Sequence, residues 1–361
     1  MPIPRLLLAT TLIGLSGLAA GGLAKAATVT RGDGAELIYA TPANSDGKVY
    51  SAQNPALSPD GTTLIFTLYT NGYDGGPNTP KGGVYKMPSA GGTATQITSS
   101  KAASGLGATN VNGLATWNVF VNLVTFADTA ADADIWTIAP DGSALHRITD
   151  AANGPGAPDN PPAYQEPTFS PDGKTIVFEE DVSNGSSSDG YVGGIDIVPT
   201  GGGAVRQLLV GGDASDNRLP VWSPDGTKIL FQRRTNLTEK AGIYRLFTIN
   251  PDGTGLTQVT GVGSKYDNLD SDASWSPDGK WILDSACYGN GPLTPCPDGA
   301  ESNIFLVSAD GTKVVRVTTS TSEDGAPAMS PDGRWIYFES HTQAGNDSSP
   351  TQIWRIATPP H

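Results

Sequence analysis

The sequence predicts an all-β protein, a six-bladed β-propeller whose ring is closed by an N-terminal strand that completes the last blade. Three observations lead to this fold class. The last four copies of a repeat start 53 or 54 residues apart, which leaves room for four short strands in each repeat. A strand-like segment near the N-terminus matches the strand that the last repeat lacks. The tetrapeptide Ser-Pro-Asp-Gly occurs five times, each time before an apolar run, starting at Ser58, Ser170, Ser223, Ser276 and Ser330.

Each Ser-Pro-Asp-Gly segment is typical of a hairpin turn. Proline fixes φ near the value needed at the second position of a turn, and Asp-Gly supplies a hydrogen-bond acceptor followed by a residue free to adopt positive φ. β-Branched and aromatic residues flank the turn, as in Pro220–Trp222 and Lys228–Phe231, which favours strands. A second Gly-rich turn, such as Asp252-Gly253, separates two further strands. One repeat is therefore four antiparallel strands, the layout of a propeller blade.

One of the six copies has lost its turn. The interval between Ser58 and Ser170 is close to two periods, so a repeat must lie between them. The segment Trp117–Phe126 superimposes on Trp222–Phe231, with residues 118–121 in place of the turn. We therefore predict that this segment forms the first hairpin of a second blade.

The two ends of the chain complement each other. The sixth repeat stops at its third strand, Ile353–Ile356, and has no fourth strand after it. Near the N-terminus, Asp33–Thr41 has the same layout as Asp141–Thr149, which is a fourth-strand segment. The N-terminal segment is thus expected to complete the sixth blade and to cover an edge that would otherwise pair with another chain.

These repeats resemble those of the TolB-like six-bladed β-propellers, whose signature is Pro-x-Trp-Ser-Pro-Asp-Gly. The segment Pro220–Gly226 shows the signature in full, and the resemblance covers residues 33–357. It implies the propeller fold, whereas related propellers serve as binding scaffolds, as lids on peptidases and as oligosaccharide lyases. TolB-like proteins carry a separate α/β domain before the propeller. Only residues 27–32 lie between the expected signal cleavage point and the first strand, so that domain is not expected here.

Residues 1–26 are predicted to be a secretory signal peptide, and residues 27–361 a single propeller domain. Arg5 precedes an apolar stretch, and Ala24-Lys25-Ala26 fits the small-x-small cleavage rule. The alternative is an uncleaved anchor helix, although glycines interrupt the stretch. The expected location is the bacterial periplasm or the medium. The net charge of −14 makes nucleic acid an unexpected partner. We expect a monomer with no transmembrane segment once the signal is removed.

The only two cysteines, Cys287 and Cys296, fall in the loop between the second and third strands of the fifth blade. In an exported protein, two cysteines this close in sequence favour a disulfide, which would hold the loop. The alternatives are a metal site or a reactive thiol, with no histidine nearby in the sequence.

The strand order assigns different roles to the two faces of the disc. Because successive strands alternate in direction, both tight turns of a blade must lie on one face. The opposite face then carries the long connections, such as residues 71–83, 181–194 and 287–302. Long, dissimilar loops are where binding sites concentrate, so this long-loop face is the predicted functional surface.

Polar side chains occur in every blade near the predicted entrance of the central channel. They could hydrogen-bond the hydroxyl groups of a sugar, or they could contact a protein partner. Alternatively, they only solvate a water-filled channel. No cofactor is required, but hard oxygen ligands make Ca²⁺ possible, with Asp128, Asp270 and Asp272 as candidates. The ligand-binding candidates are Asn54, Asn112, Glu166, Arg218, Arg234, Asp272, Asp324, Tyr69 and Tyr288.

Catalytic motifs are scarce. The chain has no Gly-x-Ser-x-Gly elbow, no His-Glu-x-x-His pair and no dinucleotide fingerprint. These observations favour an exported, non-catalytic scaffold that binds a protein or polysaccharide ligand on the long-loop face. The alternative is a polysaccharide lyase or glycoside hydrolase at the channel mouth, in which an arginine and a carboxylate remove a proton beside a sugar carboxylate. The catalytic candidates are Arg218, His341, Glu166 and Asp181.

Overall fold

The computed structural model describes residues 29–42, 50–69, 82–98, 111–118, 123–128, 133–153, 161–183, 191–212, 215–234, 244–261, 272–286, 302–343 and 349–361. These residues form six antiparallel sheets of four strands each. Within the described ranges, the helical structure is one 3₁₀ turn, Ala151–Asn153. The predicted six-bladed β-propeller is therefore confirmed.

The first three blades follow one another along the chain, each running from an inner strand to an outer strand. Blade 1 contains β2 (Ser51–Leu57), β3 (Thr63–Tyr69), β4 (Gly82–Pro88) and β5 (Thr95–Gln96). Blade 2 contains β6 (Val111–Asn118), β7 (Leu123–Asp128), β8 (Ile135–Ile138) and β9 (His146–Arg147). Blade 3 contains β10 (Ala163–Phe169), β11 (Thr175–Ser183), β12 (Tyr191–Pro199) and β13 (Arg206–Leu209).

The other three blades repeat this order, and the last one takes its outer strand from the N-terminus. Blade 4 contains β14 (Asp216–Trp222), β15 (Ile229–Arg234), β16 (Arg245–Ile249) and β17 (Thr257–Gln258). Blade 5 contains β18 (Ser274–Trp275), β19 (Trp281–Ala286), β20 (Asn303–Ser308) and β21 (Val314–Arg316). Blade 6 contains β22 (Asp324–Met329), β23 (Trp335–His341), β24 (Thr351–Ala357) and β1 (Glu36–Tyr39).

The repeat that has lost its Ser-Pro-Asp-Gly turn forms blade 2, as predicted. Trp117 on β6 pairs with Val124 on β7, so the two strands form the expected hairpin. The inner strands β2, β6, β10, β14, β18 and β22 contact one another in turn, and β22 contacts β2. Six inner strands in a ring surround a central channel.

The N-terminal strand closes the ring. β1 pairs antiparallel with β24, placing Leu37 opposite Trp354. The carboxylate of Glu36 accepts a hydrogen bond from the Arg355 guanidinium, with an N–O distance of 2.8 Å. This confirms that the N-terminus completes blade 6 and removes an exposed edge.

Arg31 anchors the N-terminal segment through an ion pair with a buried carboxylate. Its guanidinium donates to the carboxylates of Asp33, at 2.7 Å, and Asp324, at 2.8 Å. The same group lies 5.2 Å from the ring centroids of both Phe338 and Trp354, a cation–π arrangement. Asp324 is fully buried, so removing Arg31 would leave a buried carboxylate without its cation.

Each Ser-Pro-Asp-Gly turn has the same pattern of internal hydrogen bonds. In blade 4, the hydroxyl of Ser223 donates to Asp225 Oδ1 at 2.7 Å and accepts the backbone N–H of Lys228 at 2.9 Å. The backbone N–H of Gly226 donates to the Ser223 carbonyl, and Gly226 has a φ of +70°. That conformation suits glycine, because a Cβ atom would clash with the neighbouring carbonyl.

Both tight turns of a blade lie on the same face, as the strand order requires. In blade 3, the backbone N–H of Thr200, beside the second turn, donates to the carbonyl of Lys174, in the first turn. Ala309 and Lys280 make the equivalent bond in blade 5. The long connections consequently lie on the other face.

The residues that the structure describes form six apolar core clusters, one in each seam between adjacent blades. Each cluster buries a large side chain of a second strand or an inner strand. Burying one such side chain stabilises the fold by roughly 2 kcal/mol. In seam order from blades 1 and 2 round to blades 6 and 1, they are Phe126, Tyr164, Phe231, Leu230, Phe338 and Phe66.

Candidate functional site at the channel mouth

The inner strands carry β-bulges that turn one side chain towards the channel. In β10 the pairing with β11 shifts after Gln165, and in β14 the pairing with β15 shifts after Arg218. The residue at the bulge has a left-handed backbone, an uncommon conformation outside glycine that is found at functional sites. A proline follows each of these residues. They are Asn54, Glu166, Leu219 and Ala326, with φ values of +54°, +49°, +53° and +46°.

The bulges line a cavity of about 110 Å³ on the channel axis. Its wall consists largely of proline, alanine and other small apolar groups from blades 1, 4, 5 and 6. Two carboxylates, Glu166 and Asp272, interrupt this apolar wall. The cavity is therefore mostly apolar, with one carboxylate from blade 3 and one from blade 5.

Glu339 on β23 is a buried carboxyl behind this wall. Its Oε2 atom accepts the bulge N–H of Asn54 at 2.7 Å, so blade 6 holds the inner strand of blade 1. Burial raises the pKa of Glu339 to about 8, and the nearby carboxylates of Asp272, Glu323 and Glu166 contribute. This carboxyl is therefore largely protonated at neutral pH.

Glu179 on β11 repeats this arrangement on the opposite side of the ring. Its Oε2 atom accepts the bulge N–H of Leu219 at 3.0 Å, so blade 3 holds blade 4 in the same way. Burial raises the pKa of Glu179 well above its ordinary value, and Asp181 adds to the shift. Arg218 opposes it, with its guanidinium 3.9 Å from Glu179.

Asp216 organises the positively charged part of the mouth. Its fully buried carboxylate accepts hydrogen bonds from Arg218 at 3.0 Å, from Arg234 at 3.0 Å and from the Tyr244 hydroxyl at 2.5 Å. The backbone N–H of Gly193 adds a fourth bond at 2.8 Å. With this many donors around it, Asp216 fixes both guanidinium groups in place.

Of the two arginines, Arg218 is the one that solvent reaches. Its side chain is 27% exposed, whereas that of Arg234 is 4% exposed. Burial disfavours the charge of Arg218, but the neighbouring Glu179, Tyr244 and Asp216 outweigh this effect and raise its pKa. Arg218 is thus a permanent, oriented cation at the mouth.

Asp181 lies beside this arginine. Its Oδ2 atom accepts a hydrogen bond from the amide of Gln165 at 2.8 Å. Its buried Oδ1 atom has no hydrogen-bond partner among the described residues. Burial raises the pKa of Asp181, and Arg218 opposes the shift. Arg218 and Asp181 therefore influence each other electrostatically, whereas the ion pairs of Arg218 are with Asp216 and Glu179.

Several predicted site residues are instead buried with partners from the fold. The Nδ1 atom of His341 lies 2.8 Å from the Ser349 carbonyl, and its Nε2 atom lies 3.5 Å from Glu323 Oε2. The His341 side chain is only 3% exposed. Asp324 holds Arg31, as described above, and Tyr69 is 4% exposed. These groups, like Arg234, stabilise the walls of the mouth.

Other predicted residues lie outside what the structure describes. Tyr288, Asp270 and both cysteines fall in segments beyond the described ranges, so the disulfide remains a prediction. Asn112 lies on β6 and Asp128 at the end of β7, where the backbone alone is described. Within the described part of the chain, no group of three or more His, Cys, Asp or Glu residues is arranged to hold a metal ion.

Sequence reasoning missed Glu179 and Tyr244. The signal for Glu179 was present, because Phe178-Glu179 and Phe338-Glu339 occupy the same place after their Ser-Pro-Asp-Gly turns. Tyr244 follows residues 235–243 and carries no repeat signature, so its bond to Asp216 could not be read from the sequence.

Comparisons with known proteins agree with this fold. No family model matches the chain. Over 185 residues the chain is 28% identical to the uncharacterized peptidase YuxL of Bacillus subtilis, covering 51% of this chain and 23% of that protein. The putative TolB from Agrobacterium tumefaciens is similar in structure, with a TM-score of 0.55, 18% identity, and coverage of 86% of this chain and 91% of that one. The α-L-arabinanase of Penicillium chrysogenum, complexed with arabinobiose, has a TM-score of 0.58, 14% identity, and coverage of 91% and 98%.

These likenesses define the class of protein. The first curated relatives are matched over 23% and 50% of their own length, so the chain spans half or less of each. At the identities found, the structural similarity shows the fold. The chain has a six-bladed β-propeller fold, and the putative TolB is similar to it in structure. Among the described residues, no helix is both long and apolar enough to span a membrane.

Proposed function

We propose that this chain is an exported, monomeric propeller that acts as a binding scaffold, holding a protein or polysaccharide ligand on its long-loop face. The observation that carries the proposal is the oriented guanidinium of Arg218. Buried Asp216 fixes this group, and about a quarter of the side chain remains exposed at the channel mouth. A guanidinium held in this way loses little conformational freedom when it binds a carboxylate or a hydroxyl group.

The other polar groups at the mouth support binding rather than turnover. His341 has fold partners at both ring nitrogens, and Glu339 and Glu179 each accept the N–H of a bulge. These hydrogen bonds give the three side chains a structural role in the fold. They instead keep the mouth rigid around Arg218.

The proposal is tested with mature protein, residues 27–361, on two immobilised polysaccharides, polygalacturonate and arabinan. The Arg218→Gln variant should weaken binding at least tenfold, and the matched Arg334→Gln variant should not. Arg334 is an exposed arginine on the Ser-Pro-Asp-Gly face, beside Asp332. Weaker binding in the Arg334 variant alone would reverse the assignment of faces.

A protein ligand is tested separately with a photo-crosslinking amino acid. The label is placed at exposed Thr342, next to the long-loop end of β23, or at exposed Thr227, in a Ser-Pro-Asp-Gly turn. A partner that is crosslinked from Thr342 and not from Thr227 supports the proposal. If neither polysaccharide binds and both labels give the same products, the scaffold proposal fails.

A carbohydrate-active enzyme is the second candidate, and Asp181 is the observation that favours it. A half-buried carboxyl with a raised pKa near an arginine has the properties of a general acid or base. Release of unsaturated or reducing ends from polygalacturonate or arabinan, abolished in Asp181→Asn, would establish this activity. Polymer that binds and stays intact would leave the scaffold as the function.

A further inference from the structure

The seam between blades 2 and 3 departs from the repeat. In most blades the phenylalanine of the second strand faces an aromatic residue across the sheet, on the third strand. In blade 3, Phe178 faces Asp196. The aromatic residues at the equivalent position are Tyr85, Trp136, Phe247 and Trp354 in blades 1, 2, 4 and 6.

A cavity of about 740 Å³ lies where this substitution removes a ring. Blade 2 contributes its short outer strand, with exposed His146 and Arg147. Blade 3 contributes one face of its sheet, with the polar groups of Glu180, Asp196 and Gln207. Ile148, Val205 and the ring of Tyr164 give the cavity apolar walls. This seam cavity lies on the outer side of the ring, away from the channel.

Two buried carboxyl groups line the seam cavity. Asp196 is 1% exposed, and its Oδ1 atom has no hydrogen-bond partner within the described part of the chain. Glu180 is 3% exposed and accepts one bond, from the Gln207 amide at 2.8 Å. The cation that lines the cavity, Arg147, is paired with Asp134 and with Asp150, the latter at 3.0 Å. Among the described residues, neither of these two carboxyl groups is paired with a cation.

We propose that the seam cavity binds an alkylammonium group, such as a lysine side chain or a polyamine, with the ammonium at Asp196 and Glu180. An ammonium offers three N–H donors and needs acceptors only, which the two carboxylates supply. Its methylene chain would lie against Ile148, Val205 and Tyr164, where an aromatic ring packs in other seams. The inference stands apart from the ligand proposed for the long-loop face.

Binding of this kind would release a proton. With the cavity empty, burial raises the pKa of Asp196 to about 8, and the negative charge of Glu180 contributes. The other titratable groups around it are His146, Arg147, Asp150, Tyr164 and Asp134. A bound cation favours the ionised carboxylate, so uptake of the ammonium at neutral pH should be coupled to loss of a proton.

The test is calorimetric titration of the mature protein with 1,4-diaminobutane and with N-acetyl-lysine methylamide, in two buffers of different ionisation enthalpy. Saturable binding with a buffer-dependent heat is expected at neutral pH. Binding of the diamine alone points to a free polyamine, and binding of both points to a lysine side chain. Absence of binding by either at millimolar concentration overturns the proposal, as does binding of Ca²⁺ in place of both amines.

Two variants and a control complete the experiment. Asp196→Asn should weaken binding more than tenfold and remove the buffer dependence. Asp196→Phe restores the aromatic residue of the other seams and should abolish binding while raising the thermal midpoint. Asp252→Asn removes an exposed carboxylate from a turn and should leave both the binding and its buffer dependence unchanged. Unchanged binding in both Asp196 variants would exclude the seam cavity as the site.

Discussion

The Ser-Pro-Asp-Gly face and the channel mouth both carry carboxyl groups from most blades, but the pKa of Asp225 on the first and the pKa of Glu339 at the second shift in opposite directions. Hydrogen bonds from Ser223 and from the backbone of Thr227 lower the pKa of Asp225 on the turn face. At the mouth, burial and neighbouring carboxylates raise the pKa of Glu339 to about 8. The turn supplies its own donors within five residues, whereas the mouth is assembled from blades far apart in sequence. The first face is a local product of the chain, and the second depends on closure of the ring.

The largest expected effect comes from opening the ring. Deleting residues 29–42 removes β1 and Arg31, so β24 becomes an edge and buried Asp324 loses its cation. Breaking a buried ion pair alone costs about 3 to 5 kcal/mol. We expect unfolding or oligomers, measured by thermal unfolding and size-exclusion chromatography. A monomeric deletion variant with an unchanged melting temperature would show that closure contributes little.

The next effect concerns the turn face alone. Gly226→Val places a β-branched residue at a φ of +70°, which should destabilise the protein by about 2 kcal/mol or more. Gly201→Val is the control, because Gly201 lies in another turn with open space around its Cβ position and without a left-handed φ. Denaturant unfolding should separate the two variants. Ligand binding at the mouth should survive in folded Gly226→Val protein.

Glu339, at the channel mouth, should affect how the stability of the protein depends on pH. The pKa of Glu339 is about 8 in the folded protein and 4.5 ordinarily, so the folded state binds the proton more tightly. Its contribution to stability is therefore full below pH 4.5 and is lost as the pH rises towards 8. Glu339→Gln cannot ionise, so its free energy of unfolding should fall less steeply than that of the wild type between pH 4.5 and about 8. The difference in slope should be up to about 1.4 kcal/mol per pH unit.

The control for this experiment is Asp252→Asn on the turn face. Hydrogen bonds from Thr254 lower the pKa of Asp252, so its contribution is present at every pH above its ordinary value of 3.8. Thermal midpoints measured across the neutral range should then keep the wild-type slope. A Glu339→Gln variant with the wild-type slope would mean that Glu339 ionises as an exposed carboxylate does.

The smallest effect is expected from a single turn hydroxyl. Ser223→Ala removes the bond to Asp225 Oδ1 and the acceptor of the Lys228 N–H, and it should cost about 1 kcal/mol. Thermal unfolding measures this loss of stability. Because each turn is bonded internally, the other four Ser-Pro-Asp-Gly turns should not compensate for it. A variant as stable as the parent would show that proline and glycine alone maintain the turn.

The candidate site was only partly readable from the sequence. Glu166, Asp272 and Arg218 were placed near the channel because they stand a few residues before the tryptophan or its equivalent in their repeats. His341 and Arg234 were assigned to the same mouth, but the structure shows them buried with partners from the fold. Burial depends on which neighbours the next blade and the loop supply, and the period of the repeat does not carry that information.

By itself, the sequence determined the blade count, the turn chemistry and the closing strand, because all three follow from short segments that recur at a regular interval. Only the tertiary structure decided which carboxyl groups ionise readily. Asp225 is bonded within its own turn, whereas Glu339 and Glu179 are surrounded by residues of neighbouring blades. The energy of a charge depends on the distance and the burial of every group around it, so it exists only once the ring is assembled.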